Sequence, residues 1–201
     1  PGGFNSNRPE IDDPLAGAVP PPVPADLGVH DCTSSGPPSN CTMEPGYYLN
    51  MGEITVRRTA TMLPGLYYFE NTRIVLQSTQ ARLQGNGVTL YATGNPNSPY
   101  IDLGNGEMSL TAPNAPLWAN GPNGMTIWIA NCSDFEARGN GVFYLRGILY
   151  APCSYVWLHG TPSGETIHGQ VIVGELDMRG TSVLVVNYHG YVDTPRRAVF
   201  L

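Results

Sequence analysis

The sequence predicts an all-β fold: a single right-handed β-solenoid of about 19–21-residue coils, preceded by an extended proline-rich N-terminal arm. Three observations predict it. Gly85-Asn86-Gly87-Val88-Thr89-Leu90 is echoed nineteen residues later by Gly104-Asn105-Gly106-Glu107-Met108-Ser109-Leu110, each copy a turn opening a strand with apolar residues at alternate positions. Upstream, Pro45-Gly46-Tyr47-Tyr48 is answered nineteen residues on by Pro64-Gly65-Leu66-Tyr67-Tyr68. Downstream, Gly139-Asn140-Gly141 restates the opening, and His159-Gly160-Thr161 and Arg179-Gly180-Thr181 lie twenty residues apart. A unit of this size cannot bury its apolar side alone and must stack on copies of itself. No window keeps apolar residues at helical spacing, which excludes a helical array, and the leucine-rich-repeat signature is missing.

Residues 1–44 read as the arm. Pro20-Pro21-Pro22-Val23-Pro24 imposes a polyproline-like segment without backbone donors. Its scattered apolar residues Phe4, Ile11, Leu15, Val19, Val23 and Leu27 suit a segment lying along a solenoid wall, in cis or on a neighbouring subunit; a flexible stalk is the competing reading. Residues 45–201 read as the solenoid, with strands expected near Ile54–Val56, Gly65–Phe69, Arg73–Leu76, Gly87–Tyr91, Tyr100–Leu103, Met108–Thr111, Met125–Ala130, Val142–Tyr150, Tyr155–Leu158, Thr166–Val173, Leu176–Met178 and Val183–Tyr188. Alternation points Met125, Ile127 and Ile129 inward and Trp128 outward. The run Val183-Leu184-Val185-Val186 reads as a strand covered on both faces by the arm or the C-terminal tail.

Gly and Pro, 24 and 19 residues, exceed a fifth of the chain while charged residues make up 13%, a balance favouring short strands and tight turns. All ten basic residues are arginine and the net charge is −6, which leaves no footprint for nucleic acid or an anionic membrane. No apolar run reaches the length of a membrane span, and the chain begins with Pro, as a processed or excised ectodomain would. The four cysteines suit an oxidising compartment. Cys32 and Cys41 would pin a turn before the first coil. Cys132 and Cys153 end two strands one coil apart, and the strand spacing of about 4.8 Å is within disulfide reach, so they would staple adjacent rungs. A free buried pair is the alternative, and zinc is disfavoured without Cys-x-x-Cys.

The ordered set Asp13-Pro14-Leu15-Ala16-Gly17, Cys32, Pro45-Gly46-Tyr47-Tyr48, Leu63-Pro64-Gly65-Leu66-Tyr67-Tyr68, Gly85–Tyr91, Ser109–Pro113, Gly147–Pro152 and Gly169-Gln170-Val171-Ile172-Val173 resembles the C-terminal region of TadG-like proteins, bacterial pilus-assembly proteins of the tight-adherence (Flp) type. The resemblance spans nearly the whole chain, in pieces that are individually short. It implies an extracytoplasmic β-helical domain of a membrane-anchored or secreted protein, with a structural or adhesive role. It carries over no catalytic residues, and the family's N-terminal membrane segment has no counterpart here.

Against that background, few residue groups could carry chemistry. Asp134-x-Glu136 and Glu175-x-Asp177 each place two carboxylates on one side of a strand, two coils apart, and Arg138 or Arg179 could join them in a sugar-cleaving groove. Solvated strand faces are the usual fate of such pairs. His168 and His189 could align on adjacent coils near His159, but no thiol or acid accompanies them at ligand spacing, so no metal is assigned. Calcium ladders and a Gly-x-Ser-x-Gly elbow are missing. The outward aromatics Tyr91, Trp128, Tyr155, Trp157 and Tyr188 could form a sugar-stacking or subunit-contact strip; packing beneath the arm explains them equally. The sequons at Asn40 and Asn131 are read as chance. The expectation is therefore a secreted or surface-displayed structural or adhesive domain without catalytic residue, cofactor or metal. Its expected partners are itself, other surface or pilus proteins, or glycans; the alternatives are a glycan-binding module and a carbohydrate-active β-helix enzyme.

Overall fold

The structure is a computed structural model that describes residues 13–32, 39–94, 100–139, 142–160, 165–180 and 184–186. Thirteen strands and no helix are found among these residues. They are β1 Cys41–Met43, β2 Gly46–Val56, β3 Thr59–Met62, β4 Gly65–Leu76, β5 Arg82–Asn86, β6 Val88–Thr93, β7 Ile101–Asp102, β8 Glu107–Thr111, β9 Met125–Ile129, β10 Phe135–Gly139, β11 Val142–Gly160, β12 Glu165–Gly180 and β13 Leu184–Val186. All ladders between them are parallel, and they wind into a β-solenoid of about six turns with a coil spacing near 22 residues. The coils are thus slightly longer than the sequence motifs suggest.

Each turn visits three walls. The first stacks β1, β3, β5, β8, residues 142–146, residues 165–167 and β13. The second stacks residues 46–49, 65–70, β6, β9, 148–151 and 170–173. The third stacks residues 52–56, 72–76, β7, β10, 155–160 and 175–180. β2 and β4 run through the corner from second to third wall, and in coils five and six β11 and β12, of 19 and 16 residues, run through this corner and the one before it, where turns were expected.

The motif period and the ladder register are different quantities. Tyr48 and Tyr67, nineteen residues apart, do the same job: each hydroxyl reaches the carbonyl four residues back, Glu44 O at 2.5 Å and Leu63 O at 2.8 Å, and also a carbonyl of the preceding layer, Val29 O at 2.9 Å and Met43 O at 2.7 Å. The ladder, however, pairs Gly46 with Tyr67, two residues further along. A slip of two keeps every side chain on its own face, so the rings of Tyr48, Tyr67 and Phe69 still stack inside. The prolines and glycines of this motif turn the chain from first wall to second. Gly46 has φ +149°, and a Cβ there would lie 2.7 Å from Gly28 N, so only glycine fits under the arm.

The Gly-Asn-Gly echo is a likeness of sequence, not of position. Val88–Leu90 sits on the second wall and pairs with coils two and four, whereas Met108 and Leu110 sit on the first wall opposite Leu83 and Gly85. At the corner from second to third wall, Asn50 and Asn71 take left-handed backbone (φ 53° and 50°), and Asn71 Nδ2 donates to Asn50 Oδ1 at 2.8 Å. Gly94 follows there with φ 88°, and Asn131 Nδ2 donates to its carbonyl. Asparagine tolerates this conformation better than other side-chain-bearing residues.

The interior is a continuous apolar column, from Met43 and Tyr48 through Leu83, Leu103 and Phe135 to Leu158 and Ile167. Thr72, fully buried, closes the local backbone: its Oγ1 donates to Tyr48 O and accepts from Met51 N, both at 3.0 Å. Met125 departs from the expected inward set. It joins the outer cluster with Ile148, because the register shifts between Ile148 and Leu149, while Ile127 and Ile129 remain inside. On β13, Val185 and Val186 are 40% and 46% exposed, so the strand expected to be covered on both faces is open at these positions.

The arm closes two surfaces. Residues 26–31 add onto the edge of the first coil: Tyr47 N donates to Asp26 O, Gly28 N to Tyr47 O, Glu44 N to Val29 O and Asp31 N to Thr42 O. This protects the open end of the parallel stack. The Cys32–Cys41 disulfide fastens that segment to β1, so the first coil starts at Cys41, inside the region read as arm. Further upstream the chain crosses the outside of the second wall. Leu15 is buried among Tyr68, Tyr91, Trp128 and Tyr150; Tyr150 donates to Asp13 Oδ2 at 2.6 Å, and Trp118 Nε1 donates to Val19 O at 2.8 Å. Val88, Leu90 and Ala92 point into the core and Tyr91 lies beneath the arm, so every side chain from Val88 to Ala92 is buried.

Candidate functional site

The five aromatics expected to share one strip are divided between two walls. Tyr91 and Trp128 lie on the second wall and are each 5% exposed, which overturns their reading as surface-contact residues. Their rings form a ladder across coils two to five, Tyr68 to Tyr91 at 4.8 Å, Tyr91 to Trp128 at 5.5 Å and Trp128 to Tyr150 at 5.2 Å, and the arm covers it. Burial beneath the arm raises the phenol of Tyr91 to about 12. Of the arm residues expected to touch a partner, Leu15 is buried against its own wall, Val19 and Val23 are exposed, and Phe4 and Ile11 lie outside the described residues, as does Tyr188.

Tyr155 and Trp157 face outward on the third wall in coil five. Val156 and Leu158 fill the core between them, and His159 continues the outward row. Tyr155 is 41% exposed, Trp157 and His159 half-buried. The ring centroids of Tyr155 and Trp157 are 6.1 Å apart and those of Trp157 and His159 6.4 Å, so three rings run in a line along one strand.

Carboxylates flank this row on both sides. In coil four, Asp134 Oδ1 accepts from Tyr155 N at 3.3 Å, and Glu136, opposite Trp157 in the ladder, is buried between it and Asp102. In coil six, Glu175 pairs with Tyr155, Asp177 with Trp157 and Arg179 with His159. Asp177 Oδ2 lies 3.5 Å from His159 Nε2 and 2.9 Å from Arg179 Nε. The Tyr155 phenol is raised by its hydrogen bond to Glu175, then by burial and by the charges of Glu175, Asp177 and Asp134.

Both acidic pairs thus share one wall, two coils apart as their spacing suggested. About 9.6 Å of stacked strands separates their backbones, and the strand that carries the aromatic row runs between them. Of the histidines expected to align, His189 lies outside the described residues; His168 follows the first wall beside Tyr144, and His159 is on the third, away from it. Both predicted disulfides are present, with Cα separations of 4.9 Å for Cys32–Cys41 and 4.8 Å for Cys132–Cys153, the latter the strand-to-strand spacing itself. Asp31 approaches the Cys32 and Cys41 sulfurs closely enough to suggest a metal cluster, but disulfide sulfurs offer no thiolate ligand. Sequence reasoning named Tyr155 and Trp157 but passed over His159 as the third ring; the i, i+2, i+4 spacing of Tyr155, Trp157 and His159 was the available signal.

Fold and site together define a disulfide-stapled parallel β-solenoid with one wall closed by its own N-terminal arm and another carrying an aromatic row between acids. Comparisons with family models, with curated proteins and with solved structures find no match to this chain.

Proposed function

We propose that the chain is an extracytoplasmic structural or adhesive domain of a bacterial surface assembly, of the tight-adherence kind its motifs resemble, in which the solenoid is a rigid spacer and the third wall is the contact face. The observation that carries this is the contrast between the walls: the second has its aromatic ladder sealed by Leu15 and the arm, whereas the third leaves Tyr155 exposed beside Trp157 and a set of carboxylates. Two disulfides fit an oxidising, extracytoplasmic setting. A structural role also fits the continuous apolar column that runs through the described coils. The test is adhesion of beads coated with the domain to surfaces bearing glycans or extracellular proteins. Adhesion that falls at least tenfold for Tyr155→Ala/Trp157→Ala, with unchanged melting, is expected; adhesion indifferent to that change would sink the assignment of the face.

Glycan binding is the mode of adhesion this face favours. The carbohydrate-active enzyme is the weaker alternative, because Asp134 and Glu136 are separated from Glu175 and Asp177 by the strand that carries the three rings.

A further inference from the structure

Resting on the reading of the third wall as a contact face, we infer that its ligand is a linear glycan bearing protonated amines, that is, an amino-sugar polymer. Two features of the row decide the class. The strand that carries Tyr155, Trp157 and His159 is already hydrogen-bonded on both sides, to β10 and to the last part of β12. No backbone edge is open, so an extended peptide cannot be recognised here by strand addition. A ligand can be read only by outward side chains. Rings repeated at 6.1 and 6.4 Å along a straight strand suit a linear chain of sugars, each offering an apolar face to an aromatic surface.

The second feature is charge. Asp134, Glu175 and Asp177 flank the row with solvent access, against Arg179, so three acids minus one base leave a surplus of two negative charges. Uronic-acid polymers are repelled by that surplus. An ammonium group is attracted to it and also to the ring faces of Tyr155 and Trp157. Asp177 sits at the centre, opposite Trp157, and its own cation Arg179 is largely exposed, a position from which a ligand amine can share the carboxylate.

The probes are glucosamine oligosaccharides, their N-acetylated counterparts, oligogalacturonate and oligolysine, titrated calorimetrically against the intact chain. Glucosamine oligosaccharides are expected to bind and the other three at least tenfold more weakly. Trp157→Ala should cost about tenfold by removing the platform, and Asp177→Asn about tenfold by removing charge at constant shape, with melting temperature as the check on folding. If N-acetylated oligosaccharides bind equally well and Asp177→Asn changes nothing, the ammonium inference is wrong while the contact face stands. Oligolysine binding as tightly as the sugar overturns the partner class. Absence of binding to every glycan overturns the inference outright, and the bead assay then decides separately whether the face contacts anything.

Discussion

Tyrosine hydroxyls hold the early corners of this solenoid. Tyr67, wholly buried, donates its one proton into the space between Met43 O and Leu63 O, joining coil one to the corner of coil two. Tyr67→Phe keeps the ring stack but strands those carbonyls, and a loss of about 1–3 kcal/mol is expected in denaturant unfolding. Tyr91 makes a complementary prediction about alkali. Its proton leaves only near 12 in the folded state, against about 10 in an unfolded chain. The folded state therefore holds more protons between these values, and the stability contributed is complete below pH 10 and lost as pH rises through 12. Tyrosinate absorbance should consequently rise late and together with loss of structure; a phenol titrating freely near 10 in Tyr91-only difference spectra against Tyr91→Phe would refute its burial. At the acid end, Glu53 is pushed up by burial but pulled further down by hydrogen bonds from Thr55, Arg73 and Gln77. Its contribution is present above the ordinary carboxylate range and disappears as pH falls through its lowered value.

At the scale of elements, the staple and the strap are separable. Cys132–Cys153 closes a loop across one coil, with 21 residues of separation, and loops of that length are worth about 3 kcal/mol. Replacing both cysteines by serine should lower the melting temperature by that equivalent and speed amide exchange in β9 and β11 relative to β2 and β4. Among the described residues, the strap over the second wall is anchored by Leu15 and Ala18, the Tyr150–Asp13 hydrogen bond and the Trp118–Val19 hydrogen bond. Leu15→Ala should cost about 2 kcal/mol and loosen the strap first, since its cover is thin. Tryptophan emission is the measurement, because Trp118 and Trp128 both belong to the covered cluster and should shift to the red.

At the scale of the molecule, the arm decides which surfaces meet solvent. Deleting residues 1–24 while keeping the cap at 26–31 bares Tyr68, Tyr91, Trp128 and Tyr150 together, an apolar ladder of the kind that drives association. Light scattering should find the truncated chain associated at concentrations where the intact chain is monomeric. Assemblies of the intact chain that vanish on truncation would instead mean that the arm is exchanged between copies, which the domain-swapping route allows. The solenoid itself was legible from Pro45-Gly46 and Pro64-Gly65, whose nineteen-residue repeat the corner tyrosines obey. The site was half legible: Tyr155 and Trp157 lie on the open wall, but Tyr91 and Trp128, equally outward by alternation, do not. Alternation reports which side of a strand a residue takes and is silent on what lies over that side.

The sequence by itself determined the all-β class, the stacking of coils, both disulfide pairings and the alternation of inward and outward residues. These depend on local turn chemistry and on separations close to one coil, where strand spacing leaves little choice. Only the tertiary structure decided that the strands after the two Gly-Asn-Gly turns, Val88–Thr93 and Glu107–Thr111, belong to different walls, that coils average near 22 residues, and that the arm lies on its own second wall. The reason is physical: residues 112–124 add length between β8 on the first wall and β9 on the second without disturbing the ladder, and Leu15 joins Trp128 in one cluster from more than a hundred residues away in the chain. Loop length costs a stack little free energy, so sequence spacing does not have to record it.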